Sequence, residues 1–302
     1  MNNYNTKKIK NQEVFYFIDK HLPEKSRKRF ETCGSWLEFL ANKNLDKLKV
    51  YQADFCKNRF CPMCAWRSSV KDAMKIAILM DYIEKEHGKA FIFVTLTAPN
   101  VKGEDLKSEI ARYNQAFKNL CKRDEVARIN HGYMRKLEIT HNEERDDYHP
   151  HFHVIFAVSK GYFSGGRFLK QERWLNLWRD VMGDDTITQV DVRRAKRTKD
   201  ANEMAKYAAK NSDYTKNQKV FDVLYQALKG RQIITFNGLF TAANKKYKNK
   251  ELDHYKTMDD TEYVWLLLYR WKGKEYVEKH KKAITQDEYK KLKKDAVDDM
   301  SI

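Results

Sequence analysis

The sequence predicts an α+β fold: an antiparallel sheet with helices on one face, ferredoxin-like in its layering, preceded by a small cysteine-bearing module. Three observations carry this. Runs rich in β-branched and aromatic residues alternate with amphipathic stripes in the order β-α-β-β-α-β-α. Two of those runs are separated only by a short charged segment, the mark of a hairpin. Four of the five cysteines fall within the first 64 residues.

The elements follow in chain order. Residues 1–65 read as basic and irregular. A helical segment follows, in which Val70, Ala73, Met74, Ala77 and Met80 share one face and Gly88 is the stop signal. AFIFVTLTAPN, closed by Pro99 and Asn100, reads as a central strand. Leu106, Ile110, Tyr113, Phe117 and Leu120 recur at helical spacing and form one buried stripe. GYMRKLEITH and HPHFHVIFAV flank NEERDDY as the arms of a hairpin. QERWLNLWRDVMG is an amphipathic helix ending at Gly183, TITQVDV a short strand, and DANEMAKYAAKN, after the basic run RRAKRTK, a helix over Asp200–Asn211. Farther on, VFDVLYQAL reads as helical, and Leu268–Val277 as a hairpin turning at Lys272–Gly273.

Composition points to the partner. The 302 residues carry 59 Lys and Arg against 42 Asp and Glu, a net charge of +17, together with six Trp, 17 Tyr and 16 Phe. Cations bind phosphates by releasing counterions and aromatic faces stack on unpaired bases, so this mixture suits single-stranded nucleic acid. The N-terminus has no apolar core of a secretory signal, and the longest apolar stretches, Phe91–Leu96 and Val264–Tyr269, are far too short to span a bilayer. A cytoplasmic protein without a membrane partner is expected. Structural disulfides are not expected there, so cysteine spacing is read for metal first.

His149, His151 and His153 alternate along one strand and therefore face the same way. Imidazoles two residues apart on a strand can converge on one divalent ion, and His151 and His153 are the preferred pair. Glu138, on the other arm of the hairpin, supplies a third ligand close to His151, with His141 and His149 in reserve. Glu203 and Tyr207 are spaced i, i+4 on the expected helix and share a face beside Lys206 and Lys210. A tyrosine with a normal pKa of about 10 needs a polarised electrophile and a cationic neighbour to act as a nucleophile. Tyr214 is a second candidate. Cys33, Cys56, Cys61 and Cys64 form a C-x22-C-x4-C-x2-C series suited to a closed tetrahedral zinc site, whereas Cys121 reads as an ordinary buried thiol. Lys57, Arg59, Arg193, Arg194, Lys196 and Arg197 are the candidate DNA contacts.

Four blocks, FCKNRFCPMC, FVTLTAPN, YHPHFHVIF and EMAKY, resemble the HUH endonucleases, and within them the initiators of rolling-circle replication of small bacterial plasmids. The resemblance covers roughly the first three quarters of the chain. It implies a metal-dependent single-strand endonuclease and strand transferase: His151 and His153 hold Mg or Mn, Tyr207 attacks the scissile phosphate, and the protein becomes joined to the 5′ phosphate. Glu203 then serves as the base for the terminating cleavage, and no nucleoside triphosphate is required, in keeping with the lack of a GxxxxGK[ST] loop. The implied partners are plasmid origin DNA, single-stranded or hairpin, and a host helicase, with an oligomer left open. The expected domains are a zinc-binding module over 1–68, the nicking domain over 69–215, and a DNA-binding or dimerising extension over 216–302. The competing functions are a relaxase or transposase of the same chemistry, a zinc-module DNA-binding regulator, and a metal-dependent hydrolase that does not use the tyrosine.

Overall fold

The computed structural model describes residues 1–206, 209, 215–256 and 259–295. The chain is α+β, with antiparallel sheets and helices, and divides into two compact units: Asp72–Lys256, and Met1–Lys71 with Thr257–Ile302. The segments expected from sequence run differently, because 216–256 falls in the same unit as the histidine strand while the chain from Thr257 onward groups with the cysteines.

In the Asp72–Lys256 unit, five antiparallel strands lie in the order β6-β3-β5-β4-β7, namely Val190–Arg194, Lys89–Thr97, Asp147–Ser159, Tyr133–Asn142 and Ile234–Phe236. The long β4–β5 hairpin turns over Glu143–Asp146, tighter than the Asn142–Tyr148 loop expected from its charge. Strand β6 begins at Val190, so it takes up two residues of the basic run and leaves Thr186 to Gln189 outside the sheet.

Side chains alternate across the sheet, and each face has its own cover. On one face, Phe152 and Phe156 of β5 meet Tyr113 and Phe117 of α4 (Leu106–Lys122), which the one-turn α5 (Asp124–Ala127) follows, and Trp174 of α6 (Gln171–Met182). The indole of Trp178 donates to the Thr97 carbonyl at 2.7 Å and pins α6 to the end of β3. Helix α6 stops where expected, with Gly183 in the left-handed region at φ 61°. The opposite face is also covered: Phe91, Phe93, Met134 and Ile155 pack with Ile76, Leu79, Met80 and Ile83 of α3 (Pro62–His87), with Met204 of α7 (Arg197–Ala205), and with Phe240 of α9 (Leu239–Lys248). Helices therefore lie on both faces, not one. The buried stripe of α3 also differs from the expected one, since Val70 and Met74 are exposed. The β4 end of the sheet is seated by glycine. A Cβ on Gly132 would lie 2.5 Å from the Leu239 nitrogen and 2.6 Å from the Asn237 carbonyl, so only glycine lets β4 start against the turn that follows β7. The turn itself leads into α9, while the expected VFDVLYQAL helix is α8 (Gln218–Leu228).

The helix expected over Asp200–Asn211 begins earlier, at Arg197, and ends at Ala205, where Lys206 leaves helical geometry with ψ 161°. Asp200 explains the early start: its buried carboxylate accepts from the Lys196 backbone N–H at 2.5 Å and holds the first turn. Tyr207, Lys210 and Tyr214 lie outside the described residues, and with them the helical face expected to join Glu203 and Tyr207.

In the other unit the N-terminal region is ordered, not irregular. Helices α1 (Asn2–Ile18) and α2 (Glu24–Glu31) precede β1 (Trp36–Asn42) and β2 (Leu48–Ala53), which join β8 (Tyr263–Trp271) and β9 (Tyr276–Ala283) in a sheet of order β2-β1-β8-β9. Strands β8 and β9 form the expected hairpin, closed by the Lys272 N–H donating to the Glu275 carbonyl at 2.9 Å. Helix α10 (Gln286–Asp295) covers Leu40, Tyr51 and Tyr263 with Tyr289 and Leu292. Among the described residues no helix is long and apolar enough to cross a membrane.

Candidate active site and metal centres

Strand register brings the first group together. His151 on β5 stands directly across from Glu138 on β4 and Thr97 on β3, while His153 stands across from Lys136 and Thr95. All six side chains share one face because each strand contributes alternate residues. Phe152, between the histidines, is buried in the opposite layer, so the pair is anchored from behind.

One carboxylate oxygen is the focus. Glu138 Oε2 lies 3.3 Å from His153 Nε2 and 4.0 Å from His151 Nε2, and the ligand atoms of all three residues fall within 4.8 Å of one another. The outer ring nitrogens are occupied: His153 Nδ1 sits 3.3 Å from Thr95 Oγ1, and His151 Nδ1 3.4 Å from the His149 carbonyl. His151 Nδ1 can only donate to that carbonyl, which leaves the His151 Nε2 lone pair turned toward Glu138, the tautomer a metal needs. Burial, with His153 close by, pushes the His151 imidazole down to about 4, so it is neutral at pH 7. Burial alone would raise the Glu138 carboxyl. The His153 hydrogen bond, the charge and hydrogen bond of Lys136, and His151 outweigh it and hold the group well below the usual carboxylate range. Two imidazoles and one carboxylate whose ligand atoms converge in this way fit a divalent cation. His149 is close to His151 but does not join the three, and His141 is paired with Asp146 at 3.1 Å.

Lys136 was not anticipated. It is completely buried, and its Nζ donates to Glu138 Oε2 at 2.9 Å and to the Glu203 carbonyl on α7 at 3.1 Å. Its position two residues before Glu138 on a strand was the available signal, because residues i and i+2 share a face. Glu203 itself is half-buried, and its carboxylate receives Lys206 Nζ at 2.5 Å.

The second group lies in the other unit. The sulfur pairs Cys33–Cys64, Cys56–Cys64 and Cys33–Cys61 are separated by 3.5, 3.6 and 3.6 Å. Zinc–sulfur bonds of about 2.3 Å set the sulfurs of a tetrahedron roughly 3.7 Å apart, so the four thiols are spaced to hold such an ion. N–H groups aim at the sulfurs as they would at thiolates: Lys57 N at Cys64, Cys56 N at Cys33, and Asn11 Nδ2 at Cys61, at 3.3, 3.4 and 3.3 Å. Cys121 stands apart, its thiol pushed up to about 12 by burial, which makes it inert.

The candidate DNA contacts are in different situations. Lys57, Arg59, Arg194 and Lys196 are exposed. Arg194 lies over the Phe163 ring at 5.0 Å. Arg193 is committed to Asp200 through two hydrogen bonds and to the Phe93 ring at 4.4 Å, and Arg197 is bound to Asp81 and Glu84. Those last two arginines hold β6 and α7 in place.

Comparison with known proteins assigns the chain. The family model described as "Replication protein" matches residues 47–296. A Protein rep of Staphylococcus aureus is 49% identical over 221 residues, covering 72% of this chain and 96% of that protein. A Protein rep of a Bacillus species is 37% identical over 248 residues, 74% of this chain and 80% of the relative, and one of Bacillus amyloliquefaciens is 36% identical over 248 residues, 74% and 73%. No solved structure matches. With most of its length matched by the family model and by these relatives, the chain belongs to the Rep replication protein family, the plasmid replication initiators that its sequence blocks resemble.

Proposed function

We propose that this Rep protein is an HUH-type endonuclease that nicks one strand of a plasmid origin by tyrosine transesterification and later closes the replication cycle with a second cleavage. The observation that carries this is the convergence of Glu138, His151 and His153 on one sheet face in a replication protein. The strand order β6-β3-β5-β4, with two helical connections, supports a ferredoxin-like layer to which β7 is added.

Glu138, His151 and His153 hold the catalytic ion, which as Mg or Mn supplies Lewis acidity at the scissile phosphate. Tyr207 Oη attacks phosphorus: a phosphotyrosine bond to the 5′ side forms, the bond to the 3′ oxygen breaks, and that oxygen leaves as a hydroxyl able to prime synthesis. Lys206 provides positive charge beside the tyrosine, and Glu203 takes a proton from water in the terminating cleavage. Cys33, Cys56, Cys61 and Cys64 hold a structural zinc, around which exposed Lys57 and Arg59 face the DNA; Arg194 and Lys196 supply contacts in the other unit. The partners are origin DNA, single-stranded or extruded as a hairpin, and a host helicase.

The test is incubation with a supercoiled or hairpin origin and Mn or Mg, followed by denaturing electrophoresis and peptide mapping of the adduct. Tyr207→Phe loses nick and adduct while binding survives. His151→Ala and His153→Ala lose cleavage by at least about 100-fold, again with binding kept, since the ion acts on the phosphate. Glu203→Ala makes the first nick but accumulates longer-than-unit single strands. A nucleotide mapped to Tyr214 would move the nucleophile, and full nicking by both histidine variants would end the metal reading.

A further inference from the structure

We propose that Lys136 is a positioning residue that couples metal binding at Glu138 to the seating of the last turn of α7. The inference rests on the proposed reading of Glu138 as a metal ligand and adds to it a mechanical link that the ligands alone do not contain.

The geometry is specific. A single nitrogen, Lys136 Nζ, bridges two elements: Glu138 Oε2 on β4 at 2.9 Å and the Glu203 carbonyl on α7 at 3.1 Å. The oxygen it holds is the same one that faces both histidine Nε2 atoms. An ammonium on that oxygen fixes the carboxylate's rotation and leaves its remaining lone pair toward the histidines. At the other end, the carbonyls in the final turn of a helix lack intrahelical partners, and the helix dipole favours a cation there. The Glu203 carbonyl also receives the Lys206 N–H, at 3.3 Å. Lys136 therefore caps α7 from a neighbouring strand, just before the chain continues to Tyr207.

Complete burial makes the arrangement an all-or-none device. A buried ammonium is costly without acceptors, so Lys136 holds both partners or disrupts both. Occupation of the site orders Glu138, and ordering Glu138 orders Lys136 and the α7 terminus. By thermodynamic reciprocity, a well-seated α7 then favours metal binding to the same degree.

The experiment uses the full-length protein, purified with zinc present, and probes it with Mn alone. Mn binding is followed by electron paramagnetic resonance, and amide hydrogen exchange is followed in the peptide Arg197–Lys206. In the wild type, saturating Mn slows exchange of the Glu203–Lys206 amides by at least about fivefold, the low end of typical couplings. Lys136→Met, which keeps the length and loses the ammonium, still binds Mn but shows no such slowing, and its single-turnover nicking is not restored by excess Mn. The inference is overturned if Mn binds the wild type without changing exchange in that segment, or if Lys136→Met shows the same slowing. Should Lys136→Met fail to fold, the wild-type comparison with and without Mn decides alone. Failure of the wild type to bind Mn at all would instead defeat the metal reading, and this inference with it.

Discussion

Burial and neighbouring charge set the protonation states of His151 and Glu138. Burial lowers the His151 pKa to about 4 from an ordinary 6.5, so between those values the unfolded chain takes up a proton that the folded protein refuses. Stability contributed by the neutral histidine is therefore present above pH 6.5 and is lost as pH falls toward 4. At pH 5 the loss amounts to at most about 2 kcal/mol. Urea unfolding of metal-free protein at pH 7 and pH 5 measures it, and His151→Gln, which has no proton to accept, flattens the difference. An unchanged slope in that variant would place the pH dependence elsewhere. The histidine pair and Glu138 were legible because a strand repeats every two residues and a hairpin pairs its arms. Lys136 carries the same period, but a lysine in a strand ordinarily points to water, and only the packing of α7 makes this one a buried bridge.

At the scale of elements, two predictions follow from how pieces are seated. Gly132→Ala forces a methyl to within 2.5 Å of backbone, and Gly183→Ala adds a methyl that meets nothing within 4 Å but keeps a φ of 61°. The first costs about 2 kcal/mol or more and the second about 1 kcal/mol, read as shifts in urea midpoint. Equal shifts for the two would show that close approach at β4 matters no more than backbone strain. Cys61→Ser removes one of four sulfurs and is expected to abolish bound zinc by metal analysis and to destabilise the chain, while zinc-loaded wild type still needs added Mg or Mn to nick. Retention of zinc in Cys61→Ser would sink that assignment. Helix α1 was invisible in the sequence for a related reason. Its buried positions Tyr4, Lys8, Asn11, Val14 and Ile18 include two polar residues, so no apolar stripe is present. Those residues are inside because Lys8 donates to the Glu31 and Cys33 carbonyls at 3.1 and 2.7 Å and Asn11 reaches the Phe30 carbonyl and Cys61.

For the whole molecule, the charge of +17 sets the expected character of DNA binding. Affinity for a single-stranded oligonucleotide should fall roughly 100-fold between about 50 and 200 mM salt, the slope for about five phosphate contacts. Fluorescence anisotropy across a salt series checks it, and an affinity that ignores salt would mean the basic surface is not used. Charge, strand alternation and cysteine spacing are local or summed properties. They were enough to identify the α+β class, the histidine–glutamate cluster, the four-cysteine group and the family. Contacts between distant segments decided the rest. The sheet face left apolar by Phe91, Phe93 and Ile155 had to be covered by α3, α7 and α9, which put helices on both faces. Arg193 and Arg197, read as DNA contacts from their place in a basic run, were drawn into ion pairs with Asp200, Asp81 and Glu84. A basic run states charge but not its partners, and a periodic strand states direction but not what packs above it; both depend on which distant residues the fold brings within a few ångströms.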